Sequence, residues 1–146
     1  MAFACSCIGS GSGIFEYGES EAVFTGQVTN IEYPQPKNNM IGSADKIKVS
    51  LNVIQSWKGP NAKNVVIQTN LNGASCGYQF EKNSEYLVYA GNIKGNLEVS
   101  FCSRTSLLSA AQAKEDISSF SNPTAKASYM MLFILPFLPF IGLGIL

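Results

Sequence analysis

Hydrophobic and polar side chains alternate most regularly in residues 47–53. The apolar positions are Ile47, Val49, Leu51 and Val53, and the polar positions between them are Lys48, Ser50 and Asn52. A period of two residues indicates a strand with one buried face. Four further stretches rich in β-branched and aromatic residues predict strands at 21–31, 65–69, 86–90 and 97–101. The pattern therefore predicts five strands.

The residues around these strands predict one bend and one helix. Gly26 shares a face with Phe24 and Val28, and glycine at an inward position indicates a bulge or sharp bend. Residues 106–120 predict a helix. Its candidate N-caps are Ser106 and Ser109, and its apolar stripe is Leu107, Leu108, Ala111 and Ile117.

These elements predict a mostly β fold. Five strands, frequent turns and a late helix are typical of a five-stranded, OB-like Greek-key barrel with a C-terminal helix. A β-sandwich is the alternative that the pattern leaves open. We expect Trp57 to be a core residue at one barrel end and Arg104 to be a structural hydrogen-bond donor.

Both ends of the chain differ from the middle. Residues 129–146 carry no charge, and as a helix they would reach about 27 Å, which predicts a C-terminal membrane anchor. Residues 121–128 then form a linker. Residues 1–4 contain a small-x-small pattern before Cys5, so we interpret them as the remnant of a signal peptide. The predicted folded domain is 5–120.

Composition narrows the functional class. The 10 basic and 10 acidic residues balance, and this balance disfavours nucleic acid as a partner. The sequence has no histidine, which removes histidine-based triads, dyads and zinc-protease motifs. We expect a binding protein without a cofactor, with a carboxylate-only enzyme as a minor alternative.

The four cysteines are Cys5, Cys7, Cys76 and Cys102. An even number of cysteines favours two disulfides in an oxidising compartment, and three pairings are possible. A zinc site with four thiolate ligands is the alternative, but the C-x-C spacing lacks the usual knuckles.

Several motifs carry a family resemblance. They are Cys5-Ser6-Cys7, Ala22-Val23-Phe24-Thr25-Gly26, Trp57-Lys58-Gly59, Ser75-Cys76-Gly77-Tyr78, Glu85-Tyr86-Leu87-Val88-Tyr89-Ala90 and Cys102-Ser103-Arg104-Thr105. In this order the chain resembles the N-terminal domain of the tissue inhibitors of metalloproteinases and, more broadly, the netrin-like module. The resemblance implies an OB-like barrel and the disulfides Cys5–Cys76 and Cys7–Cys102.

The resemblance also implies a binding site. The protease-binding residues would be Cys5, Ser6, Cys7, Ile8, Gly9, Ala74 and Ser75. The α-amine and carbonyl of Cys5 would chelate the zinc of the target protease, and no metal of the chain's own is implied. Ser6 would enter the specificity pocket of that protease.

Two functions follow as expectations. The first is a metalloprotease inhibitor outside the cell or at its surface, anchored through residues 129–146. The alternative is a non-inhibitory netrin-like module for surface adhesion or scaffolding. The expected partner is a zinc metalloprotease or another extracellular protein, together with the membrane.

Overall fold

The computed structural model describes residues 5–8, 11–36, 40–42 and 45–120. In chain order the helices and strands are α1 (Gly13–Glu19), β1 (Ala22–Glu32), β2 (Lys46–Lys58), β3 (Asn64–Asn70), β4 (Glu85–Ile93), β5 (Asn96–Glu98), β6 (Ser106–Leu107) and α2 (Ala111–Ser119). A short 3-10 turn, Gly73–Ser75, follows β3.

Five strands close into a barrel. β1 pairs with β2, β2 with β3, β5 with β4, and β4 back with β1, all antiparallel, while β3 and β5 are parallel. Within the barrel, β4 closes the sheet because residues 85–90 pair with β1 and residues 91–93 pair with β5. The prediction of a mostly β, five-stranded barrel with a C-terminal helix is confirmed. β6 is a two-residue addition on β4.

The hydrophobic residues form two clusters on opposite faces of β1 and β4. The barrel interior includes Phe24, Val28, Val49, Leu51, Ile67 and Val88. The second cluster contains Val23, Trp57, Leu87, Tyr89 and Ala113, with Tyr17, Ile117 and Phe120 packed against it. Residues 86–90 are therefore buried throughout, which explains their lack of polar alternation. The prediction that Trp57 is a core residue is confirmed, since its exposure is 4%.

Gly26 lies where β1 bends over β2. The pairing register of the two strands shifts between Thr25 and Gly26. A Cβ atom at Gly26 would come 3.0 Å from the carbonyl oxygen of Asn52. Glycine therefore permits a close backbone approach, and the predicted bulge is confirmed.

The predicted helix at 106–120 is wrong in its first third, residues 106–110, which are not helical. Ser106 and Leu107 form β6, and Leu107 pairs with Tyr86. α2 begins after Ala110, which makes no side-chain capping hydrogen bond, so neither Ser106 nor Ser109 is the N-cap. The buried positions of α2 are Ala113 and Asp116, whereas Leu107 is 41% exposed. Strand pairing thus overrides helix propensity here.

The ends of β2, β4 and β5 also differ from the prediction, and β4 continues to Ile93. β2 continues through Trp57 and Lys58, and the turn begins at Gly59, whose φ of +92° suits glycine. β5 ends at Glu98, and Phe101 is exposed rather than inward-facing.

The structure contains a further helix, α1, which the sequence analysis did not predict. It begins at the end of the glycine-rich sequence 9–13.

Some predictions fall on other parts of the chain. The signal remnant at 1–4, the linker at 121–128 and the anchor at 129–146 lie outside the described residues. Within the part of the chain that the structure describes, no helix is long and apolar enough to cross a membrane.

Candidate protein-binding site around the two disulfides

Two disulfides tie the N-terminal segment to the barrel. Cys5 pairs with Cys76 and Cys7 pairs with Cys102, with Cα–Cα distances of 5.6 and 5.3 Å. These are the pairings that the family resemblance implies. All four thiols are consumed, which excludes the zinc–thiolate alternative. The described ranges also contain no group of three or more potential metal ligands.

The loop that carries Cys76 is built by local hydrogen bonds. Asn72 caps the turn Gly73–Ser75, since its Oδ1 accepts from the Ser75 N–H at 3.1 Å and the Ser75 hydroxyl approaches the Asn72 N–H at 3.4 Å. The Cys76 N–H donates to the Gly73 carbonyl at 3.2 Å, and Cys76 adopts φ of 63°. This reversal directs the Cys76 side chain toward Cys5.

A polar chain fixes the same loop from the barrel side. The Lys46 ammonium forms an ion pair with Glu98 at 2.8 Å and also donates to the side-chain oxygen of Asn70. The Asn70 amide donates in turn to the Ser75 carbonyl. The position of Ser75 therefore depends on residues of β2, β3 and β5.

Gly77 allows the loop to pass the end of β3. A Cβ atom at this position would lie 2.1 Å from the carbonyl oxygen of Asn70 and 3.0 Å from that of Asn72. The Gly77 N–H donates to the Asn72 carbonyl at 2.8 Å. Only glycine fits between these backbone groups without moving them.

Replacing Gly77 by alanine is therefore expected to lower the free energy of unfolding by about 2–3 kcal/mol, because the added methyl overlaps fixed backbone. Urea denaturation of the oxidised protein measures the change. Gly73→Ala is the matched control, since a Cβ atom there meets nothing within 4 Å. Its expected effect is below about 0.5 kcal/mol. An unchanged midpoint for Gly77→Ala would contradict this packing.

The two segments form an exposed surface, which we call the disulfide ridge and define as residues 5–8 and 73–76. Ser6, Cys7, Ile8 and Ala74 are exposed, and Ile8 is 100% exposed. Ser75 and Cys5 are half-buried. The Cys5 sulfur lies 3.5 Å from the Gly73 carbonyl oxygen and 3.9 Å from that of Ala74. These are van der Waals contacts, because a disulfide sulfur carries no hydrogen.

The structure thus brings most of the predicted site residues together. Cys5 contacts the loop that contains Ala74 and Ser75, and Ser6 lies between the two bonded cysteines. Gly9, which the resemblance also assigns to the site, lies outside the described residues.

Phe101 is a ridge neighbour that the sequence analysis missed. Its N–H donates to the Cys76 carbonyl at 2.8 Å, and its side chain is 58% exposed. It immediately precedes Cys102, which bonds to Cys7. An exposed aromatic side chain beside a rigid surface is typical of protein-binding sites. The only feature of the sequence that could have indicated this position for Phe101 is that it directly precedes a cysteine.

An ion pair joins the segment after Cys102 to α2. Arg104 binds both oxygens of Asp116, at 2.7 Å from Nε and 3.0 Å from Nη2. The Tyr89 hydroxyl donates to Asp116 at 2.9 Å. The hydrogen bond to Asp116 raises the pKa of Arg104, while burial and then the same carboxylate raise the pKa of Tyr89. Arg104 is therefore a structural donor, as predicted.

Tyr78 connects the Cys76 loop to the barrel. Its N–H donates to the Thr69 hydroxyl at 2.8 Å, and its ring packs on Phe80 and Tyr86. Burial, with a smaller contribution from Tyr86, raises the pKa of Tyr78 to about 12. These tyrosines thus pack with the barrel core rather than forming an exposed stacking platform for nucleic acid.

Comparison with protein families identifies a match over most of the chain. The family model described as tissue inhibitor of metalloproteinase matches residues 3–121. No curated protein matches the chain. The matched range includes the barrel, both disulfides and the whole disulfide ridge.

Proposed function

Because the chain belongs to the tissue inhibitor of metalloproteinase family, we propose that it inhibits a zinc metalloprotease by placing the α-amine and carbonyl of Cys5 on the catalytic zinc. One observation carries the proposal. Two disulfides hold residues 5–8 beside the Cys76 loop on an exposed surface.

The proposed zinc ligands are backbone atoms. The Cys5 sulfur is committed to a disulfide and offers no thiolate. Removal of residues 1–4 would free the α-amine, whose ordinary pKa near 8 leaves part of it neutral at pH 7. A neutral amine nitrogen suits zinc, and catalytic zinc sites keep an open coordination position.

The remaining ridge residues would fill the substrate cleft of the protease. Ser6 follows Cys5 and would enter the specificity pocket, with Ile8, Ala74 and Ser75 in contact on either side. Phe101 would extend this surface beyond Cys102. Because both disulfides fix the segment before it binds, little conformational entropy is lost on association.

A non-inhibitory role is the second candidate. A netrin-like scaffold would use the same exposed surface to bind another extracellular protein, and it would tolerate a blocked Cys5. Both candidates fit an oxidising compartment, given the two disulfides. Membrane attachment through residues 129–146 stays a prediction.

The test is an inhibition assay with protein that begins at Cys5. We expect stoichiometric inhibition of at least one enzyme in a panel of zinc metalloproteinase catalytic domains, with a Kd in the nanomolar range. A serine protease, which has no zinc, is the control and should keep full activity.

Two results would overturn the inhibitor proposal. One is full activity of every metalloproteinase at micromolar protein. The other is binding of a metalloproteinase without loss of its activity, which would favour the scaffold role.

A further inference from the structure

Arg104 joins three segments that are distant in sequence. Besides the two bonds to Asp116 on α2, its Nη1 donates to the Gly11 carbonyl at 3.0 Å. Its own carbonyl accepts from the Gln112 side chain at 3.0 Å. Arg104 thus connects α2 with the chain just before α1.

The position of Arg104 matters because Cys102 lies two residues earlier. Cys102 holds Cys7 covalently, and Arg104 holds Gly11 by a hydrogen bond. One short segment, 102–104, therefore fixes the N-terminal chain at two points four residues apart. The fully exposed Ile8 lies between these points.

Asp116 orients the guanidinium and also sets the start of α1. Its side chain is 2% exposed and accepts from both Arg104 and Tyr89. A Cβ atom at Gly13 would lie 2.4 Å from Asp116 Oδ1, so the first residue of α1 packs directly on this carboxylate. The ion pair is thus built into the contact between α1 and α2.

We propose that Arg104, oriented by Asp116, is a positioning residue for the disulfide ridge. The Cys7–Cys102 bridge holds the N-terminal chain just before Ile8, and the hydrogen bond from Arg104 to the Gly11 carbonyl holds it again three residues after Ile8. The consequence for inhibition rests on the proposed function, but the positioning itself does not.

The test compares wild type with Arg104→Lys. Lysine keeps the charge but loses the planar fork that binds Asp116 and Gly11 together. We expect backbone NMR order parameters at Ile8, Gly11 and Ser12 to fall from about 0.85 to below about 0.6. We also expect at least tenfold faster dissociation from a metalloproteinase, because the segment must then be ordered on binding.

Ile67→Val is the matched control. Ile67 is fully buried inside the barrel, away from the ion pair, so this change lowers stability without loosening Gly11. Order parameters and dissociation rate should stay at wild-type values for this variant. Both measurements are made at a temperature where all variants are folded.

The outcomes separate the two proposals. Loss of order in Arg104→Lys supports the positioning role even if wild type inhibits no protease, in which case only the inhibitor function fails. Wild-type order parameters in Arg104→Lys would overturn the positioning role. Equal effects of Arg104→Lys and Ile67→Val on order and dissociation would also overturn it, since they would indicate stability alone.

Discussion

One alanine added before Cys5 is expected to weaken inhibition of a zinc metalloproteinase by at least about 1000-fold, or about 4 kcal/mol. The extension turns the α-amine into an amide, which is a poor zinc ligand. It also places an extra residue where the zinc and its open position would lie. Inhibition constants of the two proteins against the same catalytic domain measure the effect.

The control for this extension is the thermal stability of the fold. The disulfides, the barrel and the ion pair between Arg104 and Asp116 do not involve the Cys5 amine. The thermal midpoint should therefore change by less than about 2 °C. Inhibition constants that agree within threefold would show that the amine does not bind the metal.

Removing the Cys7–Cys102 disulfide is expected to lower the free energy of unfolding by about 3.5 kcal/mol. The bridges span 71 and 95 residues, but each shortens the loop that the other closes. With Cys5–Cys76 intact, the second bridge closes an effective ring of about 28 residues, to which the chain-entropy model assigns about 3.5 kcal/mol. Urea denaturation of Cys7→Ala/Cys102→Ala without reductant measures this loss.

Removing both bridges is expected to cost about 8 kcal/mol, which equals the whole stability of many domains of this size. The fully reduced protein should therefore be largely unfolded at 37 °C. The single-bridge variant should stay folded but lose at least tenfold in inhibition, because Ser6 and Ile8 are then held from one side only. If the single-bridge variant and the fully reduced protein both had the wild-type midpoint of urea denaturation, the bridges would not stabilise the fold as proposed.

The strands followed from the sequence because each has a face that the barrel buries. In residues 47–53, Ile47, Val49 and Leu51 are buried as their alternation predicts. The bend at Gly26 was also predictable, since only a close backbone approach explains glycine on an inward face. Disulfide pairing was not predictable from spacing, and only the family resemblance implied it.

Phe101 and α1 were missed because tertiary contacts place them. Phe101 continues the alternation of Leu97 and Val99, but β5 ends at Glu98 and Ser100 then pairs with Gly77. α1 follows a glycine-rich stretch with weak helix propensity. It is stabilised by distant groups, such as the Trp57 carbonyl that accepts from the Tyr17 hydroxyl at 3.0 Å.

The ion pair between Arg104 and Asp116 could not be predicted from the hydrophobic pattern either. Arg104 lies in a loop and Asp116 in a helix, and a charged residue on a predicted helix usually faces solvent. Only the structure reveals that Asp116 is buried and that Gly13 packs against it.

The prediction that the chain is not an enzyme is confirmed by its family, whose members are inhibitors.

The most direct test of zinc binding by Cys5 is the visible absorption spectrum of a cobalt-substituted metalloproteinase catalytic domain. Cobalt(II) replaces zinc in such sites, and its absorption bands respond to the atoms that coordinate it. Protein that begins at Cys5 should change these bands on binding, whereas the same protein with an acetylated amine should leave them unchanged. Tight binding of the free-amine protein with an unaltered cobalt spectrum would contradict the account.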